Sequence, residues 1–226
     1  MIRFKNISSK NYDLIMTEHP TIQSSNEKVN FYSVCGRHGS LIEHTGARDS
    51  IKITCRFTTL NGNPMSKIRE AKRWLRGQGQ LSLTDNFETC YEVQFIECGD
   101  VERQYVEHGS FSVTFYCLPY EYLYSGLTYF VPGNSLFNPY DECMPIYKIV
   151  GEGLCDLTVN GKTLQVNVGQ DVTIDTALML AYRTDENLNA SVKGNYEDLH
   201  LKQGENTISI TDGFELTIAP RWGYLA

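Results

Sequence analysis

The sequence predicts a mainly β protein of two β-sandwich domains, with one α-helix in the first. Short strand-like runs, separated by glycine, proline and asparagine, recur along most of the 226 residues, which is typical of antiparallel sandwiches. The balance of basic and acidic residues differs between two parts of the chain. Residues 1–132 hold 14 Lys and Arg against 14 Asp and Glu, and residues 133–226 hold 6 against 13. We therefore expect an N-terminal domain at residues 1–132 and a C-terminal domain at residues 133–226.

The first domain contains strand-like segments on both sides of its helix. Residues 29–34 and 40–43 flank the turn-forming residues 36–39, so a hairpin is expected there. Residues 51–57 and 109–117 alternate apolar and polar side chains. This alternation predicts two strands that each have one covered face.

The helix is predicted over residues 64–76. Asn63 can cap its first free N–H groups, Pro64 suits the first helical position, and Gly77 can adopt the left-handed conformation after its end. The apolar residues that recur at three- and four-residue steps, and so share one face, are Met65, Ile68, Ala71, Trp74 and Leu75. We expect this face to pack on a sheet and the basic remainder to be exposed.

Short strands separated by glycine are the main feature of the second domain. Asn160 and Gly161 lie between the strand-like runs 154–159 and 164–168, and Asn-Gly in this position is the strongest local signal for a tight hairpin. The other strands are predicted at residues 146–150, 171–175, 178–182, 207–210 and 214–218. Turns at this spacing favour an antiparallel sandwich.

The cysteines and the N-terminus indicate a protein that is made and assembled in a cytoplasm. The seven cysteines are odd in number, scattered, and include no C-x-x-C pair, so we expect reduced, mainly structural thiols rather than a disulfide framework or a zinc site. The N-terminus has no charged leader followed by an apolar run, and no stretch approaches membrane-spanning length. We therefore predict no membrane insertion.

No set of residues predicts catalysis. The five histidines are dispersed without H-E-x-x-H spacing, and no G-x-S-x-G elbow occurs. The acidic pairs Asp171 with Asp175 and Glu197 with Asp198 fall on a strand and in a polar loop, with nothing to set two carboxyl groups across a cleft. We predict no catalytic residue, no metal site, no cofactor and no enzyme activity.

The basic helix face could contact nucleic acid or protein. Its exposed cations include Arg69, Lys72, Arg73 and Arg76. The surrounding domain has equal numbers of basic and acidic residues, whereas a nucleic-acid binder is expected to carry a basic excess. We therefore expect a protein partner and no sequence-specific binding of nucleic acid.

Aromatic residues indicate a candidate protein interface and a candidate sugar-binding site. Tyr120, Tyr122 and Tyr124 lie in a tyrosine-rich segment that could form a protein interface or pack at the junction of the domains. In the second domain, Tyr196 and Trp222 could stack on a sugar ring, although Trp222 could equally belong to the core.

The order of these segments resembles the distal tail (Dit) proteins of long-tailed siphophages. The segments that carry the resemblance are the Gly-Arg-His-Gly turn at 36–39, the helix end at 71–75, the strand 111–115 closing on Pro119 and Tyr120, Asn138 with Pro139, Pro145 with Ile146, and the segments 201–208 and 218–222. The resemblance covers nearly the whole chain. One departure is His38, where the turn of that family would carry Asp.

The resemblance implies a fold and a function. It implies a first β domain with one helix that assembles as a homo-hexameric ring, and a C-terminal galectin-like or carbohydrate-module-like β-sandwich. The function it implies is a structural virion protein. This protein would form the distal tail hub that joins the tail tube protein to the tail-tip, host-adsorption apparatus, with DNA passing through the lumen.

The implied interfaces can be placed only as candidates. The resemblance implies contacts between subunits or with neighbouring tail proteins at residues 34–42, at the polar face of the helix and at residues 120–130. The candidate residues are Arg37, His38, Arg69, Lys72, Arg73, Arg76, Tyr120, Tyr122 and Tyr124. The alternative function is a lectin-like β-sandwich protein without catalytic activity, which would bind glycan weakly through Tyr196 and Trp222.

Overall fold

The described part of the chain is mainly β with one α-helix, which confirms the predicted fold class. The computed structural model describes residues 1–59, 63–83, 88–103 and 109–226. The chain divides into two compact units, one of Met1–Glu121 with Leu225–Ala226 and one of Tyr122–Tyr224. The domain boundary predicted between residues 132 and 133 stays a prediction.

Among the described residues, eleven strands and the helix lie wholly or partly in the first unit. They are β1 (Ile2–Phe4), β2 (Ile7–Ser8), β3 (Leu14–Met16), β4 (Thr21–Gln23), β5 (Glu27–Ser33), β6 (Ser40–Arg48), β7 (Ile51–Thr59), α1 (Pro64–Trp74), β8 (Gly79–Leu83), β9 (Thr89–Arg103), β10 (Gly109–Leu123) and, at the end of the chain, β19 (Gly223–Leu225). Nine of them form one sheet in the order β2-β1-β8-β9-β10-β7-β3, with β4 beside β7 and β19 beside β10. Strands β5 and β6 pair separately with each other.

Strands β7 and β10 form the centre of the first core. They pair antiparallel, with Phe111 opposite Phe57 and Phe115 opposite Ile53. Alternate residues of both strands are fully buried, as the sequence alternation predicts. The covered face of this strand pair is therefore the wall of a hydrophobic core.

Helix α1 covers apolar surface of this core. The Asn63 side chain accepts a hydrogen bond from Met65 N at 3.1 Å, and Gly77 has a φ of +71°. The helix ends two residues before the predicted position, because Leu75 leaves helical geometry at ψ 63°. Trp74 is buried, with its Nε1 donating to Phe4 O at 3.2 Å and its ring stacked on Tyr12 at 4.8 Å. Most of each predicted face is confirmed, because the apolar residues after Met65 are buried and the three arginines are exposed. Met65 and Lys72 are half-buried.

The second unit is built on a long hairpin of two fourteen-residue strands. Its strands are β11 (Ser135–Asn138), β12 (Ile146–Val159), β13 (Lys162–Asp175), β14 (Leu180–Arg183), β15 (Glu186–Asn187), β16 (Val192–Lys193), β17 (Gly204–Ile210) and β18 (Glu215–Ala219). The sheet order is β11-β17-β12-β13-β14-β15, with β16 beside β13 and β18 beside β12. The predicted turn at Asn160 and Gly161 is confirmed, since both residues have positive φ, at 50° and 78°.

The seven cysteines are free thiols, as the sequence analysis expects. Burial raises the pKa of Cys55, Cys117 and Cys143 to about 12. These thiols therefore stay protonated near neutral pH and act as small apolar side chains.

Candidate interaction surfaces

The first surface is a two-stranded ribbon formed by β5, β6 and the turn between them. The strands pair antiparallel from Glu27 with Arg48 to Ser33 with Ser40. The turn is closed by a hydrogen bond from Arg37 N to Val34 O at 3.2 Å. This confirms the predicted hairpin. The turn also places the candidate residues Arg37 and His38 in exposed positions at one end of the ribbon.

Both faces of the ribbon carry exposed apolar side chains. Phe31 lies opposite Ile42, and these side chains are 65% and 50% exposed. The neighbouring pair, Tyr32 opposite Leu41, is 49% and 46% exposed. Because successive side chains of a strand point to opposite faces, the two pairs lie on the two sides of the ribbon. Neither side is covered by the described part of the chain.

Polar contacts hold the ribbon together from strand to strand. The Glu43 carboxylate accepts hydrogen bonds from Tyr32 Oη at 2.8 Å and Asn30 Nδ2 at 3.2 Å. These hydrogen bonds lower the pKa of Glu43, and the bond from Tyr32 has the larger effect. At the other end, His44 Nδ1 lies 3.0 Å from Glu27 Oε1. The ribbon is thus a formed element whose own contacts leave its apolar surface open.

The second surface is the basic face of α1. Arg69, Arg73 and Arg76 are exposed, and none of the three forms an ion pair of 4.0 Å or less with another described residue. Lys72 differs from them, because it is half-buried and its Nζ donates to Gly99 O at 3.1 Å. The exposed cations therefore form a stripe of three arginines at four- and three-residue steps.

The tyrosine candidates have different degrees of exposure. Tyr122 is buried, at 6% exposure, whereas Tyr120 and Tyr124 are half-buried. The ring of Tyr122 is therefore not available on the surface of the chain, and the interface hypothesis for this segment rests on Tyr120 and Tyr124.

The two sugar-binding candidates have different neighbours. Tyr196 donates from its hydroxyl to Asn189 Oδ1 at 2.9 Å. Trp222 packs against Phe130 and Tyr140, with 6.1 Å between ring centroids in each pair. Its Nε1 is buried without a hydrogen-bond partner among the described residues. Trp222 thus packs against the second core, as the alternative interpretation states, and glycan binding stays a prediction.

The resemblance pointed to residues 34–42, which include Leu41 and Ile42 of the ribbon, whereas Phe31 and Tyr32 of the other strand were not among the predicted contacts. Phe31 and Tyr32 are adjacent, as are Leu41 and Ile42. A strand with one covered face alternates apolar and polar residues, so adjacent apolar residues on both strands were the available signal.

The described ranges 1–59, 63–83, 88–103 and 109–226 contain neither a metal-ligand cluster nor a membrane-spanning helix. No group of three or more His, Cys, Asp or Glu residues there lies close enough to hold a metal ion. No helix in these ranges is long and apolar enough to cross a membrane.

The fold is similar to that of a solved phage tail protein. The solved structure of the SPP1 Dit (gp 19.1) protein is similar to the chain with a TM-score of 0.61, at 11% sequence identity and with 96% of each chain covered. That protein is described as a paradigm of the hub adsorption apparatus in phages that infect Gram-positive bacteria. No protein-family profile and no curated protein sequence matches the chain. The resemblance found in the sequence is confirmed for the fold.

Proposed function

We propose that this chain is a structural hub protein of a phage tail. In this proposal six copies form a ring that joins the tail tube to the tail-tip, host-adsorption apparatus, and the protein is a component of the virion tail. The observation that carries the proposal is the ribbon with exposed apolar residues on both faces. The fold shared with the SPP1 Dit hub supports it.

The ribbon needs a partner on physical grounds. An isolated two-stranded hairpin is marginally stable in water, and contiguous exposed apolar surface on a folded protein usually marks an interaction site. The pairs Phe31 with Ile42 and Tyr32 with Leu41 expose apolar area on opposite sides. A ring gives each subunit two different neighbours, because its contacts are head-to-tail. The ribbon has two exposed apolar faces, and in a ring each face can be buried against a different neighbouring subunit.

The arginine stripe suits the rim of the same kind of interface. Arg69, Arg73 and Arg76 are exposed on α1, and charged side chains at a rim steer association and fix orientation more than they add affinity. We assign the stripe to contacts with a neighbouring subunit or tail protein. In this assignment the stripe adds specificity, while the ribbon supplies most of the buried apolar area.

The experiment is a measurement of the oligomeric state by light scattering and negative-stain microscopy at micromolar concentration. The wild-type chain is expected to form a ring of six chain masses. The double variant Phe31→Glu with Ile42→Glu places charges on the ribbon and is expected to be monomeric. At concentrations below ring formation its melting temperature is expected to equal that of the wild-type chain. The matched control is Val150→Glu with Leu154→Glu, which changes two exposed apolar residues of β12 and is expected to keep the ring.

Two outcomes contradict the proposal. One is a wild-type chain that stays strictly monomeric at these concentrations. The other is a ring that persists in the ribbon variant, since the ribbon then does not form the subunit contact.

A further inference from the structure

The second unit contains a groove between the segment at residues 130–134 and the strands β17 and β18. Its volume is about 790 Å³, and its walls include Val131, Ile210, Phe214 and Leu216. The groove lies away from the ribbon and the helix in sequence, and the hub proposal does not use it.

The path of the segment explains why a groove forms there. Phe130 exchanges two main-chain hydrogen bonds with Ile218 of β18, at 3.0 and 2.8 Å. Four residues later, Asn134 O accepts a hydrogen bond from Ile208 N of β17 at 3.0 Å. The segment therefore leaves one strand and joins the other. Pro132, at its midpoint, has no N–H with which to continue either ladder.

The main chain of both strands is open at this point. Residues of an antiparallel strand direct their N–H and C=O groups alternately to the two sides. The main-chain groups of Ile218 and Ile208 form hydrogen bonds with the segment. Leu216 and Ile210 each lie two residues further along the same strand, so their main-chain groups point to the same side. All of residues 109–226 are described, and within them neither the Leu216 N–H nor the Ile210 N–H donates to a turn or loop carbonyl. The alternation directs both groups away from their ladder partner β12.

The groove is lined by apolar residues, by the polar residues Asn134, Ser209 and Thr217, and by the acidic residues Asp212 and Glu215. Val131 is 76% exposed. Phe214 covers Gly151, where a Cβ atom would overlap its ring. Asp212 and Glu215 are exposed wall residues and form no ion pair within residues 109–226. Residues 133–226 hold 13 acidic against 6 basic residues, so the wider charge of this half of the chain has the same sign.

We propose that this groove binds an extended segment of a partner protein in which apolar residues alternate with Lys or Arg. The segment adds as a short strand, with its main chain hydrogen-bonded to Ile210 and Leu216. Its apolar side chains contact Val131 and Phe214. Its cations face Asp212 and Glu215, which sets the sign of charge that the groove accepts.

The probe is a short alternating lysine–valine peptide with blocked ends, titrated into the full chain and followed by amide hydrogen exchange. Saturable binding is expected, and the Ile210 and Leu216 amides are expected to gain protection of roughly tenfold or more. A peptide with N-methyl groups along the edge that would pair is expected to bind at least roughly tenfold more weakly. Its methylated nitrogens cannot donate to the Ile210 and Leu216 carbonyls, which face the same side of the strands as the N–H groups of these residues. A glutamate–valine peptide is expected not to bind.

Variants of the chain separate the charge from the strand pairing. Asp212→Lys with Glu215→Lys is expected to weaken binding of the lysine–valine peptide at least roughly fivefold. The control, Asp185→Lys with Glu186→Lys, changes two acidic residues on a different edge of the unit and is expected to leave binding unchanged. A Val131→Lys variant is expected to bind more weakly than a Leu154→Lys control.

Three results overturn the proposal. The first is no binding of the lysine–valine peptide. The second is equal binding of the acidic peptide, or binding without protection of Ile210 and Leu216. The third is protection of these amides that rises with the concentration of the chain alone, because a second copy then occupies the groove. Ring formation by the wild-type chain is measured separately, so failure here does not decide the hub proposal.

Discussion

Two long hairpins of this chain, the ribbon β5–β6 and the hairpin β12–β13, share a local geometry and differ in their surroundings. Both have a glycine with a φ of +78° in the turn, Gly36 in the ribbon and Gly161 in the other. In β12–β13, alternate residues such as Leu157 are fully buried, whereas Phe31 of the ribbon is 65% exposed. A hairpin can therefore form from local signals while its apolar side chains require cover from elsewhere.

The difference shows what stabilises each hairpin. The β12–β13 hairpin buries one face in the second core and is joined at its end to Arg221 through Asp175, with both oxygen–nitrogen distances at 2.8 Å. The ribbon has cross-strand hydrogen bonds but no buried face. We expect substitutions in β12–β13 to change the stability of the chain, and substitutions in the ribbon to change its assembly.

Thiol labelling is expected to give the largest contrast. Cys35 is exposed in the ribbon turn, whereas Cys155 is buried in β12 and its pKa is raised by burial to about 11. A raised pKa keeps the thiol protonated and unreactive at mildly alkaline pH. Alkylation of Cys155 also requires local opening of the sheet, so Cys35 should react about a thousandfold faster or more. Time-resolved mass spectrometry measures both rates, and rates within tenfold of each other would contradict the assigned burial.

Breaking the buried ion pair of the β12–β13 hairpin is expected to have the next largest effect. The side chains of Asp175 and Arg221 are only 3% and 14% exposed. Asp175→Asn leaves the Arg221 charge buried without its carboxylate and should lower the free energy of unfolding by roughly 3–5 kcal/mol. The control is Glu27→Gln in the ribbon, which removes an exposed contact with His44 and should leave the urea midpoint unchanged. Equal urea midpoints for Asp175→Asn and Glu27→Gln would contradict the expected difference in stability between the two hairpins.

Truncating an apolar residue in each hairpin compares their packing directly. Leu157 is fully buried, and Leu157→Ala should cost about 2–4 kcal/mol of unfolding free energy, from lost burial and the cavity that remains. Phe31→Ala should cost about 0.5 kcal/mol or less in the monomer, because the ring is already exposed to water. Denaturant unfolding at concentrations below ring formation measures both. A large loss for Phe31→Ala would mean that the chain itself covers the ribbon.

The smallest expected effect concerns the two turn glycines. No atom lies within 4 Å of the position that a Cβ would take at Gly36 or Gly161, so the positive φ is the only source of strain there. Gly161→Ala should destabilise the second unit by about 1 kcal/mol. Gly36→Ala carries the same backbone strain, but the ribbon can open without unfolding the core, so global unfolding should be unchanged. Calorimetry checks both, and a lower melting temperature for Gly36→Ala would link the ribbon to the core.

The sequence determined the elements whose signals are local. Asn63, Pro64 and Gly77 bound the helix in the structure as they do in the sequence, and Asn160 with Gly161 makes the predicted turn. The alternation in β7 and β10 predicted which of their residues are buried. These features depend on backbone preferences and on periodicity within a few residues, which a single sequence contains.

The tertiary structure decided which surfaces remain open. Lys72 was predicted as part of the basic face, yet its ammonium group reaches Gly99, far away in sequence. Tyr122 proved to be buried, and the ribbon proved to be uncovered on both sides. The groove beside Pro132 exists because β17 and β18 both pair with β12. Each outcome depends on contacts between residues distant in the chain. Whether a side chain is buried or exposed follows from those contacts, so the local sequence pattern alone could not determine its burial.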